Sequence, residues 1–294
     1  MTGQATTWPE ARSVRTHLGD LEYRDIGPPG RSPDTAPVVL LVHLVLAAGD
    51  HWDKVVARLS DRYRCIVPDM PMGGHRLPAN EGADLTTPGM ARALAELMEA
   101  LDLDDVTLVG NDTGGAICQV VGADHPERVG RIVLTDCDMY DEFPPKIFFS
   151  IPLAAAVPGG IQVLAQILRI KPLWRLPITF GWLTHDVDGE KVERWAAALR
   201  ADPAIARDAR AAIRGMSTDY TNRAAEALRT ADIPLLIVWG ADDKAFSRAN
   251  AERMRDEVPG AELVLVDDAK ALVCWDQPDR LAELIAEFVT VPDA

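Results

Sequence analysis

The segment 106–116 joins an apolar run to a glycine-rich turn and a second apolar stretch. Gly110, Gly114 and Gly115 surround Asp112 in this turn. A sharp strand-to-helix turn needs neighbours without a Cβ, because only then can the strand and the helix come close together. The central side chain then points out of the sheet in front of a helix N-terminus, which favours a negative charge. The segment therefore predicts a nucleophile elbow in which Asp112 occupies the reactive position.

Strand-like and helix-like segments alternate along most of the chain at lengths typical of βαβ units, which predicts an α/β fold with a mostly parallel sheet. The proline- and glycine-rich segment 27–37 is predicted to be a loop. Predicted strands are 14–18, 21–25, 38–43, 64–68, 106–109, 131–135, 235–239 and 262–266, and predicted helices are 52–59, 90–101, 117–123, 248–257 and 278–289.

The alternation stops between Met139 and about Arg229, where the chain is helical in character and rich in proline. This predicts a helical cap inserted into an α/β core. The expected division is residues 1–139 for the first part of the core, 140–229 for the cap and 230–294 for the second part of the core. Aromatic residues of the cap are expected either to line an apolar pocket or to pack the cap against the core.

The formal net charge of −15 over 294 residues argues against nucleic acids and anionic membranes as partners. The apolar segment 147–170 is interrupted by Pro152, Pro158, Gly159 and Gly160, so it predicts two short cap helices rather than a membrane span. We therefore expect a protein that binds neither nucleic acid nor membranes. The sequence is compatible with a homodimer.

Cysteine usage and the amino-terminal segment indicate the compartment. The four cysteines form no CxxC pair and lie mostly in apolar contexts, which favours reduced thiols. The segment Met1–Arg12 has no apolar stretch of the kind found in signal peptides. Together these features predict a cytoplasmic protein.

Three further motifs occur in an order that identifies a family. The run Pro37–His43 resembles a strand that leads to an oxyanion loop, Ile233–Asp243 resembles a late strand that delivers an acid, and Ala261–Val266 resembles the last strand. With the elbow, these motifs make nearly the whole chain similar to the α/β-hydrolase superfamily. The resemblance implies an eight-stranded sheet flanked by helices. An aspartate at the elbow further resembles haloalkane dehalogenases and epoxide hydrolases, in which it attacks carbon and a histidine-activated water cleaves the ester.

The resemblance assigns roles to particular side chains. Asp112 would be the nucleophile, with Asp243 or Asp136 as the acid of the site; Asp138 follows close behind Asp136. The backbone amides of Leu44 and Thr113 would form the oxyanion site. Residues expected to border the substrate pocket are His43, His75, Phe143, Phe148, Trp174, Trp182 and Leu272.

The chain departs from this pattern at three positions. Ala271 falls where the catalytic histidine is expected, and no histidine follows His185. Leu44 occupies a position where glycine is usual, and Thr113 follows the nucleophile where dehalogenases and many epoxide hydrolases have tryptophan. His51, His75 and His185 are therefore candidates for a base at a non-standard position.

These departures leave three functional hypotheses. The first is an enzyme that runs atypical or non-hydrolytic chemistry, such as cyclisation, isomerisation, elimination or ring-opening, on a small apolar molecule. The second is an aspartate-nucleophile hydrolase with a displaced base, and the third is a ligand-binding protein without turnover. If Asp112, Asp136 and Asp243 converge, one of them should take up a proton, because close carboxylates cannot all stay charged. No motif predicts a metal site or another cofactor.

Overall fold

The strands and helices follow the predicted alternation. The structure, a computed structural model, describes residues 8–28, 36–176 and 179–290; the predicted segments 1–12 and 27–37 lie partly outside these residues. The strands are β1 (Arg12–Thr16), β2 (Gly19–Ile26), β3 (Val38–Val42), β4 (Arg64–Pro68), β5 (Val106–Asp112), β6 (Val129–Cys137), β7 (Leu235–Gly240) and β8 (Glu262–Val266). The helices are α1 (Asp53–Leu59), α2 (Thr87–Ala100), α3 (Thr113–Asp124), α4 (Ser150–Ala156), α5 (Gly160–Ile167), α6 (Gly189–Ala201), α7 (Pro203–Arg214), α8 (Thr218–Leu228), α9 (Arg248–Glu257), α10 (Val273–Asp276) and α11 (Pro278–Thr290).

The described strands form one sheet of eight strands in the order β1-β2-β4-β3-β5-β6-β7-β8. β2 pairs antiparallel with β1 and β4, and every other neighbouring pair is parallel. β3 and β5 are apolar and almost wholly buried because helices cover both faces of the sheet, as parallel strands require. The predicted mostly parallel α/β fold is therefore confirmed. The carboxyl ends of β3, β5, β6 and β7 meet at one edge of the sheet, where the elbow lies.

The insertion between β6 and β7 consists of helices. Buried residues of α4, α5, α6 and α7 form an apolar cluster of their own. α8 instead packs against α3, and Leu228 at its end belongs to the main core cluster. Thus part of the segment predicted as a cap is attached to the core by packing, and the division at residues 140 and 229 stays a prediction.

The apolar segment 147–170 folds as expected into two short helices, α4 of seven residues and α5 of eight. Val157 ends α4 in an extended conformation, and Gly159 begins the next turn with a left-handed backbone. Within residues 8–28, 36–176 and 179–290, none of the helices combines the length and the apolar character needed to cross a membrane.

Candidate active site

Asp112 is held in a strained backbone conformation between a strand and a helix. β5 ends at Asp112 and α3 begins at the next residue, with φ 55° and ψ −129° at Asp112. Residues with a Cβ rarely adopt a positive φ. A Cβ on Gly110 would lie 2.5 Å from the carbonyl oxygen of Gly114, and one on Gly114 would lie 2.2 Å from that of Val42. The glycines therefore permit the close approach that displays the Asp112 side chain.

The Asp112 carboxylate is anchored through one oxygen. Its Oδ1 accepts hydrogen bonds from the Thr113 amide at 2.6 Å, the Thr113 hydroxyl at 2.9 Å and the Val45 amide at 3.5 Å. Burial raises the pKa of Asp112, and the bonds from Thr113 and Val45 oppose that rise. Because Oδ1 is occupied by three donors, Oδ2 is the oxygen left to face the cavity that Asp112 lines.

The two converging amides belong to Thr113 and Val45, so the predicted amide of Leu44 is replaced by that of the next residue. His43 Nδ1 donates to the Leu44 carbonyl at 2.8 Å, and its Nε2 accepts from the Met70 amide at 2.9 Å. In a trans peptide, C=O and N–H point in opposite directions. By holding the Leu44 carbonyl, His43 therefore turns the Val45 N–H toward Asp112. His43 is fully buried and acts on the loop rather than lining the cavity.

A second carboxyl group in the cavity wall belongs to Asp138, a residue that sequence reasoning did not assign. Its Oδ2 lies 3.5 Å from the Thr113 hydroxyl, which has only one proton and gives it to Asp112. The contact between Asp138 and Thr113 is therefore a hydrogen bond only if Asp138 is the donor. Burial, and then the charge of Asp112, raise the pKa of Asp138 well above its usual range. The raised pKa favours the protonated form of Asp138, in which its carboxyl group can donate to the Thr113 hydroxyl while Thr113 donates to Asp112.

Asp136 and Asp243 form a separate pair and do not line this cavity. Asp136 Oδ1 accepts from the Gly240 amide at 2.9 Å, while Asp243 accepts from the amides of Ala245 and Phe246 at 2.7 and 3.2 Å. Asp136 Oδ2 is buried without a hydrogen-bond partner among the described residues, and the charge of Asp243 disfavours ionisation of both groups at once, so this pair favours one retained proton. Burial and the neighbouring Asp243 raise the pKa of Asp136 well above its usual range, and burial raises that of Asp243 to about 6. The four acids are thus arranged as two pairs rather than as the predicted trio.

Folding stability is expected to fall as the pH rises through the pKa of the Asp136–Asp243 pair. Both pKa values are raised by folding, so this contribution is complete below pH ~4 and is lost as the pH passes about 6. Asp136→Asn keeps an acceptor for Gly240 and supplies a neutral N–H donor to Asp243. Relative to the wild type, its free energy of unfolding should rise by on the order of 1–3 kcal/mol between pH ~5 and pH ~8. Urea denaturation at both pH values checks this, and parallel pH curves would contradict a retained proton.

The segment after β8, where a triad histidine is expected, contacts the insertion between β6 and β7 instead. Ala271 is fully buried and its carbonyl accepts from Asn111 Nδ2 at 2.9 Å. The Leu272 amide donates to the Leu183 carbonyl at 2.7 Å, and Lys270 Nζ donates to the Gly181 carbonyl at 2.8 Å. Leu272 was expected to border the substrate but does not line the cavity. These contacts give the segment a structural role between core and cap.

The histidines considered as substitute bases all lie elsewhere. His51 is fully buried with Nε2 3.1 Å from Cys274 Sγ, and burial lowers its pKa well below the usual range. His75 Nε2 lies 3.3 Å from Asp208 Oδ2 on α7, and His185 lies in an exposed contact with Asp242. Within the described part of the chain, no histidine lines the cavity beside Asp112. Its titratable groups there are Asp112 and Asp138.

The cavity lies between the carboxyl ends of β3 and β5 and the helices of the insertion. Its volume is about 90 Å³, which admits several water molecules or a small organic group. Phe148 lines it as predicted, whereas Phe143, Trp174 and Trp182 do not. Trp174 donates its indole N–H to the Leu168 carbonyl at 2.6 Å and belongs to the main core cluster. The apolar walls include Leu44, Ile151, Leu164, Leu168 and Trp195.

Known proteins resemble this chain over most of its length. Residues 37–278 match a family model described as alpha/beta hydrolase fold. A protein of Xanthomonas campestris named cis-3-alkyl-4-alkyloxetan-2-one decarboxylase is 28% identical, with 96% of this chain and 95% of the relative covered. Haloalkane dehalogenase 2 of Mycobacterium bovis is 27% identical, with 95% and 94% covered.

A solved structure shows the same architecture. The thermophilic esterase from Thermogutta terrifontis superposes with a TM-score of 0.71 at 21% identity, covering 96% of this chain and 98% of the esterase. At this identity the likeness shows the fold alone. The match over residues 37–278, the sheet order and the strained elbow agree: the chain belongs to the α/β-hydrolase family.

Proposed function

We propose that this protein is an enzyme that converts a small, largely apolar molecule without a triad histidine. One observation carries the proposal: Asp112 opens into an apolar cavity that no histidine lines within the described residues. A carboxylate on a strained turn, with two amides converging on it, is an arrangement suited to attack on an electrophilic carbon. The apolar walls exclude water and strengthen the electrostatic interactions inside the cavity.

The missing imidazole limits what happens after the attack. In aspartate-nucleophile hydrolases, a base activates the water that cleaves the alkyl ester. Asp138 cannot act as that base while it holds its proton, and the Asp136–Asp243 pair does not line the cavity. An ester on Asp112 must therefore leave by a route that consumes no water. Elimination and ring-opening are such routes.

A strained lactone ring suits this chemistry in detail. In an oxetan-2-one with two alkyl groups, Asp112 Oδ2 attacks C4, and the bond between C4 and the ring oxygen breaks to give a carboxylate on C3. The bond between C3 and that carboxylate carbon then breaks and releases CO₂. Its electron pair forms the C3=C4 double bond and expels Asp112 as a carboxylate. Neither water nor a proton is consumed, and the similarity to the Xanthomonas decarboxylase supports this substrate class.

The surrounding residues have defined roles in such a reaction. The amides of Val45 and Thr113 hold Asp112 Oδ1, so Oδ2 is presented to the substrate carbon. Protonated Asp138 removes a second negative charge from the cavity, since two carboxylates so close would repel the carboxylate that forms on the substrate. Leu44 adds an apolar contact where the alkyl groups would lie.

A second candidate is carbon-attack hydrolysis, which the similarity to haloalkane dehalogenase 2 supports. The third hypothesis, ligand binding without turnover, predicts no product at all. The three differ in what happens to the substrate oxygen atoms and to the mass of the protein, so one experiment can separate them.

The test is incubation with a series of cis-3,4-dialkyl oxetan-2-ones in H₂¹⁸O. We expect an alkene and CO₂ in equal amounts, with the protein returning to its original intact mass. A hydroxy acid that contains ¹⁸O would favour the hydrolase instead. A stable mass increase that maps to Asp112 would show carbon attack without release, and neither product nor adduct over the whole series would contradict the proposal.

A further inference from the structure

The cap exposes a group of large apolar side chains that no described element covers. Phe149 is 63% exposed, Leu153 61% and Val163 60%. Scattered exposed apolar residues are normal on a protein surface, but a contiguous group marks an interaction site. We call this group the cap face: Phe149, Leu153, Val157, Val163, Ile167 and Ile170.

The cap face is formed by one side of each of two neighbouring helices. Leu153 lies on α4, with Phe149 just before the helix and Val157 just after it, and Val163 and Ile167 lie four residues apart on α5, which places these two on one helical face. α4 and α5 pack against each other. Their opposite sides, which carry Ala155, Ile161 and Ala165, belong to the cluster that includes α6 and α7. Both exposed sides are therefore directed away from the same helices.

The charge of this region is opposite to that of the whole chain. Residues 143–176 contain no Asp or Glu, although the chain carries a net charge of −15. Four exposed basic residues lie in the same span, namely Lys146, Arg169, Lys171 and Arg175. Lys171 and Arg175 also line a wide depression together with Lys270 and His185. Asp186 also lines this depression, but within residues 143–176 every charged side chain is a cation, so this span is complementary to an anionic surface.

We infer that the cap face docks on an anionic lipid bilayer, with its apolar side chains among the acyl chains and the four basic residues at the headgroups. Amphipathic helices with this composition lie in the plane of a membrane interface. A second copy of the chain would fit less well, because it would bring the same cations face to face. The net charge of −15 predicts no anionic membrane partner. That net charge is a sum over the whole chain, however, and the charged residues are unevenly distributed along it.

The cap face and the cavity are two sides of the same helices. Ile151 of α4 and Leu164 of α5 line the cavity beside Asp112, as does Leu168 just after α5. An apolar molecule dissolved in the bilayer would therefore reach the cavity by passing between or beside these helices. This arrangement suits a substrate with alkyl chains, which partitions into lipid rather than water.

Vesicle flotation tests the inference without reference to turnover. The full chain is mixed with vesicles of phosphatidylcholine alone or of phosphatidylcholine with about 30% phosphatidylglycerol. We expect binding to the anionic vesicles, and at least about a tenfold loss of partitioning for the double variant Leu153→Ser/Val163→Ser. Lys171→Glu/Arg175→Glu should weaken binding to anionic vesicles selectively. Leu77→Ser is the matched control, because Leu77 is 41% exposed and lies outside the cap face.

Three results would overturn the inference. The first is equal binding of the wild type and the Leu153→Ser/Val163→Ser variant, and the second is no binding of either protein to anionic vesicles. The third is a dimer in sedimentation experiments without lipid that this double variant abolishes, because the cap face would then be covered by a second copy. Circular dichroism of each variant shows whether it remains folded; since Leu153 and Val163 are largely exposed, we expect wild-type spectra.

Discussion

Asp112→Asn is expected to lower kcat/KM by on the order of 10³-fold or more. The substitution keeps the shape of the side chain and its contacts with the Thr113 and Val45 amides. It removes the negative charge and the nucleophilic oxygen, and the other carboxyl group of the cavity, Asp138, has a raised pKa and lies outside the strained turn. Steady-state kinetics with the substrate found in the oxetan-2-one series measures the loss.

Two further variants make this prediction specific. Asp138→Asn retains a neutral donor toward Thr113, so we expect a loss of only about tenfold if the role of Asp138 is to remain protonated. Asp268→Asn changes an exposed carboxylate on the core and should leave kcat/KM unchanged. A similar large loss in Asp138→Asn would mean that Asp138 works as a charged base. Full activity in Asp112→Asn would remove the elbow from the mechanism.

Gly114→Ala is expected to destabilise the protein by about 3 kcal/mol or more. The added Cβ would lie 2.2 Å from the Val42 carbonyl oxygen and 2.7 Å from that of His43. Both oxygens belong to the backbone at the end of β3, so no side chain can rotate away. Either α3 must move off the sheet or the strand must shift. Urea denaturation gives the change in the free energy of unfolding.

Gly27→Ala is the matched control for this substitution. A Cβ there would have no atom of the described residues within 4 Å, so the variant should be neutral or slightly more stable because alanine lowers the entropy of the unfolded chain. If the two variants had equal stability, the close approach of α3 to β3 would not constrain the elbow.

Local patterns account for the fold and the elbow. Continuous β-branched and leucine runs such as Val38–Val42 are typical of strands buried on both faces, so they predict where the strands lie in the chain and that the sheet is mostly parallel. The order of the strands in the sheet is seen only in the structure. The glycines around Asp112 have a local steric cause that remains visible in sequence. The prediction ended β5 at Val109, whereas the strand runs on to Asp112 because the elbow residues still pair with β6.

The contacts that surround Asp112 depend on long-range geometry that the sequence does not show. Asp136 lies near the end of β6 and Asp138 directly follows that strand. Asp136 has φ 23°, so regular strand alternation does not apply at this point and cannot show which of the two faces the cavity. The converging amide belongs to Val45 because a histidine bond fixes the orientation of one peptide plane. Which cap aromatics reach the cavity depends on how the insertion folds back over the core.

The insertion is held to the core by different kinds of contact on the two sides of the cavity. On that side, the Leu272 amide and Lys270 Nζ hold the cap carbonyls of Leu183 and Gly181. For the described residues of α4 and α5, no hydrogen bond or ion pair to the core is found. A ligand that passes on the side of the segment after β8 must break several polar contacts at once. On the side of α4 and α5, only apolar surfaces need to separate. We therefore expect a bound molecule to enter and leave on the side of α4 and α5.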